Sequence, residues 1–337
     1  MSRALLIFRW DIAKFAGSER VLAYMVRVLK ELNYSTVVLT FGGKWDDNFA
    51  RPDVFRSIPG PNGGRLFRFV KNLYSLIYEY YHKVKDDFDV VIDAAYNDLR
   101  GWVNLGYVHY PYCTAHLKFL FPMKARVVAA NSTWTLNKLK DCGINNAVVI
   151  YPPVEPVKCS YNPTQFKEDM VIGIGRLGKP WEEFIEIAKL VKAERPGVKF
   201  VIIGFADSVE RVKHLEDLSR GIVKIIPNAS EEIKRDLLCK AKVILHTHPA
   251  EHFGIAVVEA MSVGAIPVVH RDGGVWLDAV ERGRFGFGFD NVEEAAEFVI
   301  NAVDADTEYR KLVMSKAFEF NYDRFKNALI NNLQLAG

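Results

Sequence analysis

Two short segments of this 337-residue chain concentrate side chains and glycines suited to anionic, hydroxyl-rich ligands. The first runs Gly173-Ile174-Gly175-Arg176-Leu177-Gly178-Lys179-Pro180 and follows an apolar run typical of a strand. Its glycines let backbone approach a ligand closely, Arg176 offers a planar fork to phosphate oxygens, and Lys179 adds a point charge. Pro180 suits a first helical position, so a helix N-terminus would face the same anion. The spacing also fits a dinucleotide fingerprint, but that use needs a carboxylate closing the next strand. That strand ends near Ile203, with Glu194 ahead of it and Asp207 too far beyond. A diphosphate clamp therefore fits better than a nicotinamide site. A glycine turn with two solvated cations is the plain structural alternative for this loop alone.

The second segment, Pro249 to Met261, carries Glu251 and Glu259 around His252-Phe253-Gly254. Glu251 precedes a helix expected to start near Phe253 or Gly254, where it can accept hydrogen bonds from ligand hydroxyls. The amides of Phe253, Gly254 and Ile255 at that start are a second place for an anion or hydroxyl. Glu259 lies two turns on in an otherwise apolar run, so it needs a partner, either a protein group or ligand hydroxyls. Taken singly, Glu251 reads equally as a helix N-terminal charge and Glu259 as a satisfied core carboxylate. His109, within Tyr107-Val108-His109-Tyr110-Pro111 after a first-half strand, is by default a structural histidine. His246 and His248 lack carboxylates at metal-site spacing and read as strand-end packing or site lining. Asp86-Asp87-Phe88-Asp89 precedes a strand, away from the carboxyl-end loops, so no metal is expected.

Strand-like apolar runs position these segments. They lie at 4–8, 36–40, 90–93, 127–130 and 148–150, then at 171–174, 200–203, 223–226, 243–245 and 266–269, alternating with segments of helical period. That alternation predicts βαβ units on parallel sheets. Between the two sets, Tyr151 to Pro163 contains four prolines and reads as a linker. The expected fold class is α/β, with two Rossmann-like doubly wound domains facing across a cleft and ligands at the carboxyl ends of the strands.

Composition agrees: 50% hydrophobic and 25% charged residues exclude disorder and fibrous classes. The net charge of +3 hides an asymmetry, for residues 1–155 carry an excess of positive charge and the remainder a small negative one. Nucleic-acid binding has only that excess behind it and no recognition motif. The four cysteines, at 113, 142, 159 and 239, show no zinc or short disulfide spacing, which predicts free thiols in a reducing compartment. The run Ala4–Phe8 is too short for a signal peptide, and no stretch is long enough to span a bilayer.

The Glu251-x7-Glu259 spacing, with His252-Phe253-Gly254 inside it and Gly264-Ala265-Ile266-Pro267-Val268-Val269 after it, resembles the nucleotide-sugar site of glycosyltransferase family 4, of GT-B fold. Ala16-Gly17-Ser18-Glu19-Arg20-Val21, Asn131-Ser132-Thr133-Trp134-Thr135, Tyr151-Pro152-Pro153-Val154, Gly175-Arg176-Leu177 and Phe320-Asn321-Tyr322-Asp323 are similar to further family segments in the same order. The YVHYP, NSTWT and EHFGI strings resemble the dolichol-pathway α-1,2-mannosyltransferase subgroup. The resemblance implies an acceptor-binding domain at 1–155, a nucleotide-sugar domain at 156–320, and a last helix, 321–337, returning to the first domain.

It also implies a retaining hexosyltransferase that takes a nucleotide sugar, GDP-mannose above others, without cofactor or metal. Arg176 and Lys179 would hold the diphosphate, although the family usually spaces this lysine about five residues after the arginine. Glu251 would contact the donor sugar, Glu259 the nucleotide ribose, and His109 the sugar from the first domain. Gly17, Gly175, His252, Phe253, Gly254, Ile255 and Val258 complete the implied donor site, and Arg176, Lys179, Glu251 and His109 its catalytic set. A nicotinamide oxidoreductase and a non-catalytic nucleotide-sugar-binding protein are the alternatives.

The acceptor would be a glycan or a lipid-linked glycan. Residues 63–86 hold an apolar stripe of Leu66, Phe69, Val70, Leu73, Leu76, Ile77, Tyr80, Tyr81 and Val84 at helical period, which a buried helix explains. Phe67, Tyr74 and Tyr78 off that stripe, with Arg65, Arg68, Lys71, Lys83 and Lys85, suit an anionic membrane surface. The expected location is cytoplasmic, at the periphery of a membrane's cytoplasmic face.

Overall fold

A computed structural model of the chain describes residues 2–12, 17–58, 65–95, 103–111, 125–206 and 208–335, except the side chains of Asp11, Arg65, Leu66, Arg68, Asn72, Leu76, Glu79 and Val84. It divides into two compact units, residues 1–153 with 322–337, and residues 154–321.

The first unit is built on strands β1 (Arg3–Ile12), β2 (Ser35–Gly43), β3 (Val54–Ser57), β4 (Val90–Asp93), β5 (Leu105–Val108), β6 (Val127–Ala130) and β7 (Ala147–Val149). They pair in parallel in the order β3-β2-β1-β4-β5-β6-β7. Residues of β1 alternate between two cores: Ala4, Leu6 and Phe8 enter one, Leu5 and Ile7 the other. Both faces are covered, so the strand reads as a continuous apolar run. Helix α1 (Gly17–Glu31) packs Val21, Leu22, Met25 and Leu29 into the first of these cores. Beyond β1 the connection between β5 and β6 includes residues outside those described, and α3 (Thr133–Asp141) links β6 to β7. Ser132 caps α3 by accepting a hydrogen bond from the Thr135 amide, so the NSTWT segment is first of all a helix start.

Helix α2 (Arg65–Val84) reverses the expected orientation. Phe69, Val70, Leu73, Ile77, Tyr80 and Tyr81 of the apolar stripe are exposed, as are Phe67 and Tyr74. Among the described side chains the inward face carries Lys71, which is 6% exposed and donates to the Phe41 carbonyl, and Ser75, buried against Arg9, while Tyr78 packs on the second core. Arg9 in turn pairs with fully buried Asp93 at 2.9 Å. These buried charges need inward partners, and satisfying them turns the apolar stripe outward. Lys71 is therefore not a surface cation, and the side chains of Arg65 and Arg68 lie outside those described.

The second unit contains β8 (Glu168–Ile174), α4 (Glu182–Glu194), β9 (Lys199–Gly204), α5 (Val209–Ser219), β10 (Val223–Pro227), α6 (Glu231–Lys240), β11 (Ala241–His246), α7 (Ile255–Met261), β12 (Ile266–His270), β13 (Phe287–Phe289), α8 (Val292–Asp304) and α9 (Thr307–Ala317). Its strands are parallel in the order β10-β9-β8-β11-β12-β13. Arg310 of α9 is 2% exposed and donates to the carbonyls of Lys242 at 2.7 Å, Gly264 at 3.2 Å, Ala302 at 2.8 Å and Val303 at 3.1 Å. It thereby joins the end of α8 to β11 and the turn after α7. The chain then returns to the first unit as α10 (Tyr322–Leu333), whose Phe325, Leu329 and Leu333 enter the core beside α1.

Three expectations change. Cys159 and Cys239 form a disulfide, 80 residues apart in sequence, and no described cysteine is free. A search for short spacings cannot detect such a pair, and the argument for a reducing compartment loses its ground. Pro180 lies ahead of α4, whose first helical residue is Glu182 with Trp181 at the N-cap. Tyr107 and Val108 belong to β5 itself, and His109 follows it directly. No described helix is long and apolar enough to cross a membrane.

Candidate active site

In the second sheet, β8 and β11 are neighbours from which the strand order runs in opposite directions. The carboxyl ends of such strands, where successive connections diverge to the two faces, form the binding crevice of doubly wound sheets. Both segments singled out by residue type sit there. The loop 175–179 follows β8, and the loop 247–254 follows β11.

Within this unit the two loops meet. Lys179 Nζ is 3.5 Å from Glu251 Oε2, and His246 Nε2 lies 3.3 Å from the same oxygen. Burial alone would raise the Glu251 carboxyl, but His246 and Lys179 outweigh it and hold the group well below the usual carboxylate range. Glu251 is consequently an anion at every physiological pH, suited to accepting hydrogen bonds from hydroxyls. Arg176 is exposed, and its guanidinium has no hydrogen bond or ion pair among the described residues. It is a cation available to a ligand.

Two glycines set the Glu251 loop. Gly254 caps α7 with φ 80°, and a Cβ there would lie 2.2 Å from Val275 Cγ2. Gly273, after β12, has φ +91°, and its Cβ would lie 2.5 Å from the Glu251 carbonyl oxygen. The Gly274 amide donates to that carbonyl at 2.7 Å. The helix expected near Phe253 starts at Ile255. Phe253 is buried with its ring 5.3 Å from that of Phe320, and Val258 is fully buried, so both serve as core beneath the loop. His252 is half-buried, and burial lowers its imidazole pKa against the pull of Glu251.

The partner that Glu259 requires is Lys234, 2.9 Å away on α6. Glu259 is 5% exposed, while Lys234 stays accessible at its rim. Arg211 of α5 is a second group that sequence reasoning missed. It donates to the carbonyls of Leu177 at 3.1 Å and Lys179 at 2.9 Å and pairs with Glu182 at 3.1 Å, pinning the 175–179 loop. Ser208 and Ser230, at the N-caps of α5 and α6, are the only local signals near these residues: they fix where the helices carrying Arg211 and Lys234 begin.

In the first unit, His109 is buried and its Nε2 donates to the Ala94 carbonyl at 2.9 Å. Tyr107 and Trp10 lie against its ring. Gly17 opens α1, while Ala16 lies outside the described residues. Strand β9 ends at Gly204 without a carboxylate of the kind a nicotinamide dinucleotide's ribose requires. No group of described residues could hold a metal ion.

The family model for "Glycosyl transferases group 1" matches residues 162–317, the span that holds both loops. The second unit belongs to the group 1 glycosyl transferases. Curated relatives of this chain are named "GDP-Man:Man(3)GlcNAc(2)-PP-Dol alpha-1,2-mannosyltransferase". The human protein is 26% identical over 294 residues, 78% of this chain and 60% of the relative. That of Xenopus tropicalis is 34% identical over 195 residues, 50% of this chain and 39% of the relative. The chain thus spans about half the length of the curated relatives it matches. Among solved structures, a glycosyltransferase from Rickettsia africae superposes with a TM-score of 0.74 at 14% identity, covering 99% of this chain and 98% of the other. Anabaena Alr3699/HepE, solved with UDP and glucose, gives 0.74 at 16% identity with full coverage of both. The fold of the chain is accordingly GT-B, with two Rossmann-like parallel-sheet domains.

Proposed function

We propose that this chain is a retaining mannosyltransferase that takes GDP-mannose on its second unit and passes mannose to a hydroxyl of a glycan or lipid-linked glycan. The observation that carries the reading is the arrangement at the β8–β11 switch point: the loop of Arg176, whose guanidinium has no partner among the described residues, also brings Lys179 to a Glu251 carboxylate that Lys179 and His246 keep ionised. The names of the curated relatives support mannose and guanosine diphosphate as the donor's parts.

In this mechanism the C1–O bond to the diphosphate breaks, and a bond from C1 to the acceptor oxygen forms on the same face of the sugar. Arg176 and Lys179 meet the charge that develops on the leaving diphosphate. The leaving phosphate oxygen accepts the proton of the acceptor hydroxyl. Glu251 accepts hydrogen bonds from donor-sugar hydroxyls, Glu259 does so from the ribose, and Gly175 lets backbone approach the phosphates. The cations of this site belong to the chain, so the mechanism calls for no metal.

Single-turnover kinetics and direct donor binding test the roles. Arg176→Ala is expected to lower turnover about a hundredfold while weakening GDP-mannose binding by less than about tenfold. Equal losses in both would reduce Arg176 to a binding residue. A product of inverted anomeric configuration would overturn the mechanism.

The exposed aromatic face of α2 supports docking to a lipid surface that presents the acceptor. Phe69, Ile77 and Tyr80 form an apolar face in the more basic part of the chain, with Lys83 and Lys85 exposed nearby. Replacing Phe69 and Ile77 together with Glu should abolish flotation with anionic vesicles. Unchanged flotation would refute this placement.

A further inference from the structure

His248 stands beside the phosphate loop and takes no part in the steps above. It is 8% exposed, and its Nε2 has no hydrogen-bond partner among the described residues. A buried ring nitrogen left without a partner is costly, which makes its surroundings informative. Trp181 and His246 stand edge-on to its ring, each with centroids 5.3 Å away. On the Gly175 side, a Cβ added to that glycine would lie 3.9 Å from Nε2 and 3.3 Å from the Trp181 ring. The unmet nitrogen therefore borders the stretch of backbone that leads into Arg176 and Lys179.

The charged and titratable groups around it come from four elements. His246 approaches from β11, Lys179 from the phosphate loop, Glu251 from the loop after β11, and His270 from β12, itself held by Glu183 of α4 at 2.8 Å. Burial first, then His246 and Lys179, push the His248 imidazole down to about 3, and Glu251 pulls it back only in part. With the site empty the ring is neutral and Nε2 carries no fixed charge. A diphosphate entering at Gly175–Lys179 would reverse the local field and offer Nε2 the acceptor it lacks.

We propose that His248 is a diphosphate ligand that becomes charged only when the donor arrives: its imidazole takes up one solvent proton, and Nε2 donates to a phosphate oxygen of the nucleotide sugar. This rests on the reading of the 175–179 loop as the diphosphate seat. Arg176 supplies permanent charge there, whereas His248 supplies charge conditional on occupancy. Donor affinity then rises as the pH falls through neutrality, because the bound state holds a proton that the free state does not.

Calorimetry of GDP-mannose binding without acceptor, near pH 6 in two buffers of different ionisation enthalpy, counts that proton directly. The diphosphate of a nucleotide sugar is doubly esterified and has no proton of its own to exchange near neutrality. The wild-type chain is expected to take up close to one proton per donor bound. His248→Gln should abolish the uptake and weaken binding about tenfold near pH 6, with a smaller loss near pH 8.5. His246→Gln should retain the uptake. No uptake by the wild type overturns the proposal without recourse to any variant, as does uptake that survives His248→Gln or vanishes only in His246→Gln. If neither GDP-mannose nor any other nucleotide sugar binds, the diphosphate reading itself is wrong and this proposal falls with it.

Discussion

Replacing Lys234 with Met isolates the ion pair that holds Glu259. The two groups are 2.9 Å apart, with Glu259 5% exposed. Unit charges at that separation attract by about 6 kcal/mol at an effective dielectric near 20. Desolvation of the carboxylate and the ordering of a long lysine offset much of it. Removing one member of a buried pair costs about 3 to 5 kcal/mol, and the accessible rim position of Lys234 places this pair at the lower end, about 3 kcal/mol. In a domain of this size that corresponds to a drop in Tm of roughly 6 to 12 °C. The assay is thermal and urea unfolding of the full chain, with and without GDP. Lys234→Met with Glu259→Gln should recover most of the stability, because no charge is then left buried without its cation. GDP affinity should fall in both variants, since each disturbs the carboxylate assigned to the ribose. A Lys234→Met protein within about 0.5 kcal/mol of wild type would refute the reasoning.

Three further outcomes follow from the same geometry. Gly273→Ala places a Cβ 2.5 Å from the Glu251 carbonyl at φ +91°, so it should displace the Glu251 loop and weaken donor binding, checked by calorimetry; wild-type affinity would show that the loop does not depend on this contact. Arg211→Ala releases the Leu177 and Lys179 carbonyls and should raise KM for the donor, an effect that Arg211→Lys restores only in part, because an ammonium lacks the planar fork. Lys167, half-buried and pushed down to about 7 from 10.5 by burial and by Arg310, binds more protons unfolded than folded between those values. Its contribution to stability therefore rises with pH from about 7 to about 10.5, and urea melts of Lys167→Met should show a flatter pH dependence across that window; an unchanged slope would exclude Lys167 as its source.

The parts of the site that were legible are those carried by contiguous residues. Gly175, Arg176 and Lys179 lie in one loop, Glu251 and Glu259 in one loop and helix, and each follows a strand whose apolar run is plain. What completes them comes from elsewhere in the chain. Lys234 reaches Glu259 from α6, Arg211 reaches the 175–179 loop from α5, and Gly273 supports Glu251 from beyond β12. No local pattern records such contacts, because they exist only once the sheet sets the loops side by side. Glu259 shows the limit well: its need for a partner follows from the apolar run around it, but the partner's identity does not.

Helix α2 shows a different limit. Periodicity reveals that an apolar stripe exists and is silent on which way it points. Here the buried chain of Lys71, Ser75, Arg9 and Asp93 decides, and the stripe turns outward. The short strands β3 and β13, with four and three residues, lie at sheet edges and carry too little apolar sequence to stand out. The Cys159–Cys239 bridge escaped for the same reason as Lys234, since its halves meet only in the folded unit.

The central claim is that the β8–β11 loops seat GDP-mannose for transfer. Its most direct test is a panel of nucleotide sugars, GDP-mannose, UDP-glucose, UDP-N-acetylglucosamine and ADP-glucose, measured by binding and by sugar release on the wild-type chain and on Arg176→Ala and Glu251→Ala. The account predicts that GDP-mannose is preferred by about tenfold or more, that Glu251→Ala loses this preference while still binding GDP, and that Arg176→Ala binds but scarcely turns over. A preference for a UDP sugar would contradict the mannosyl donor, and failure of every nucleotide sugar to bind would contradict the site itself.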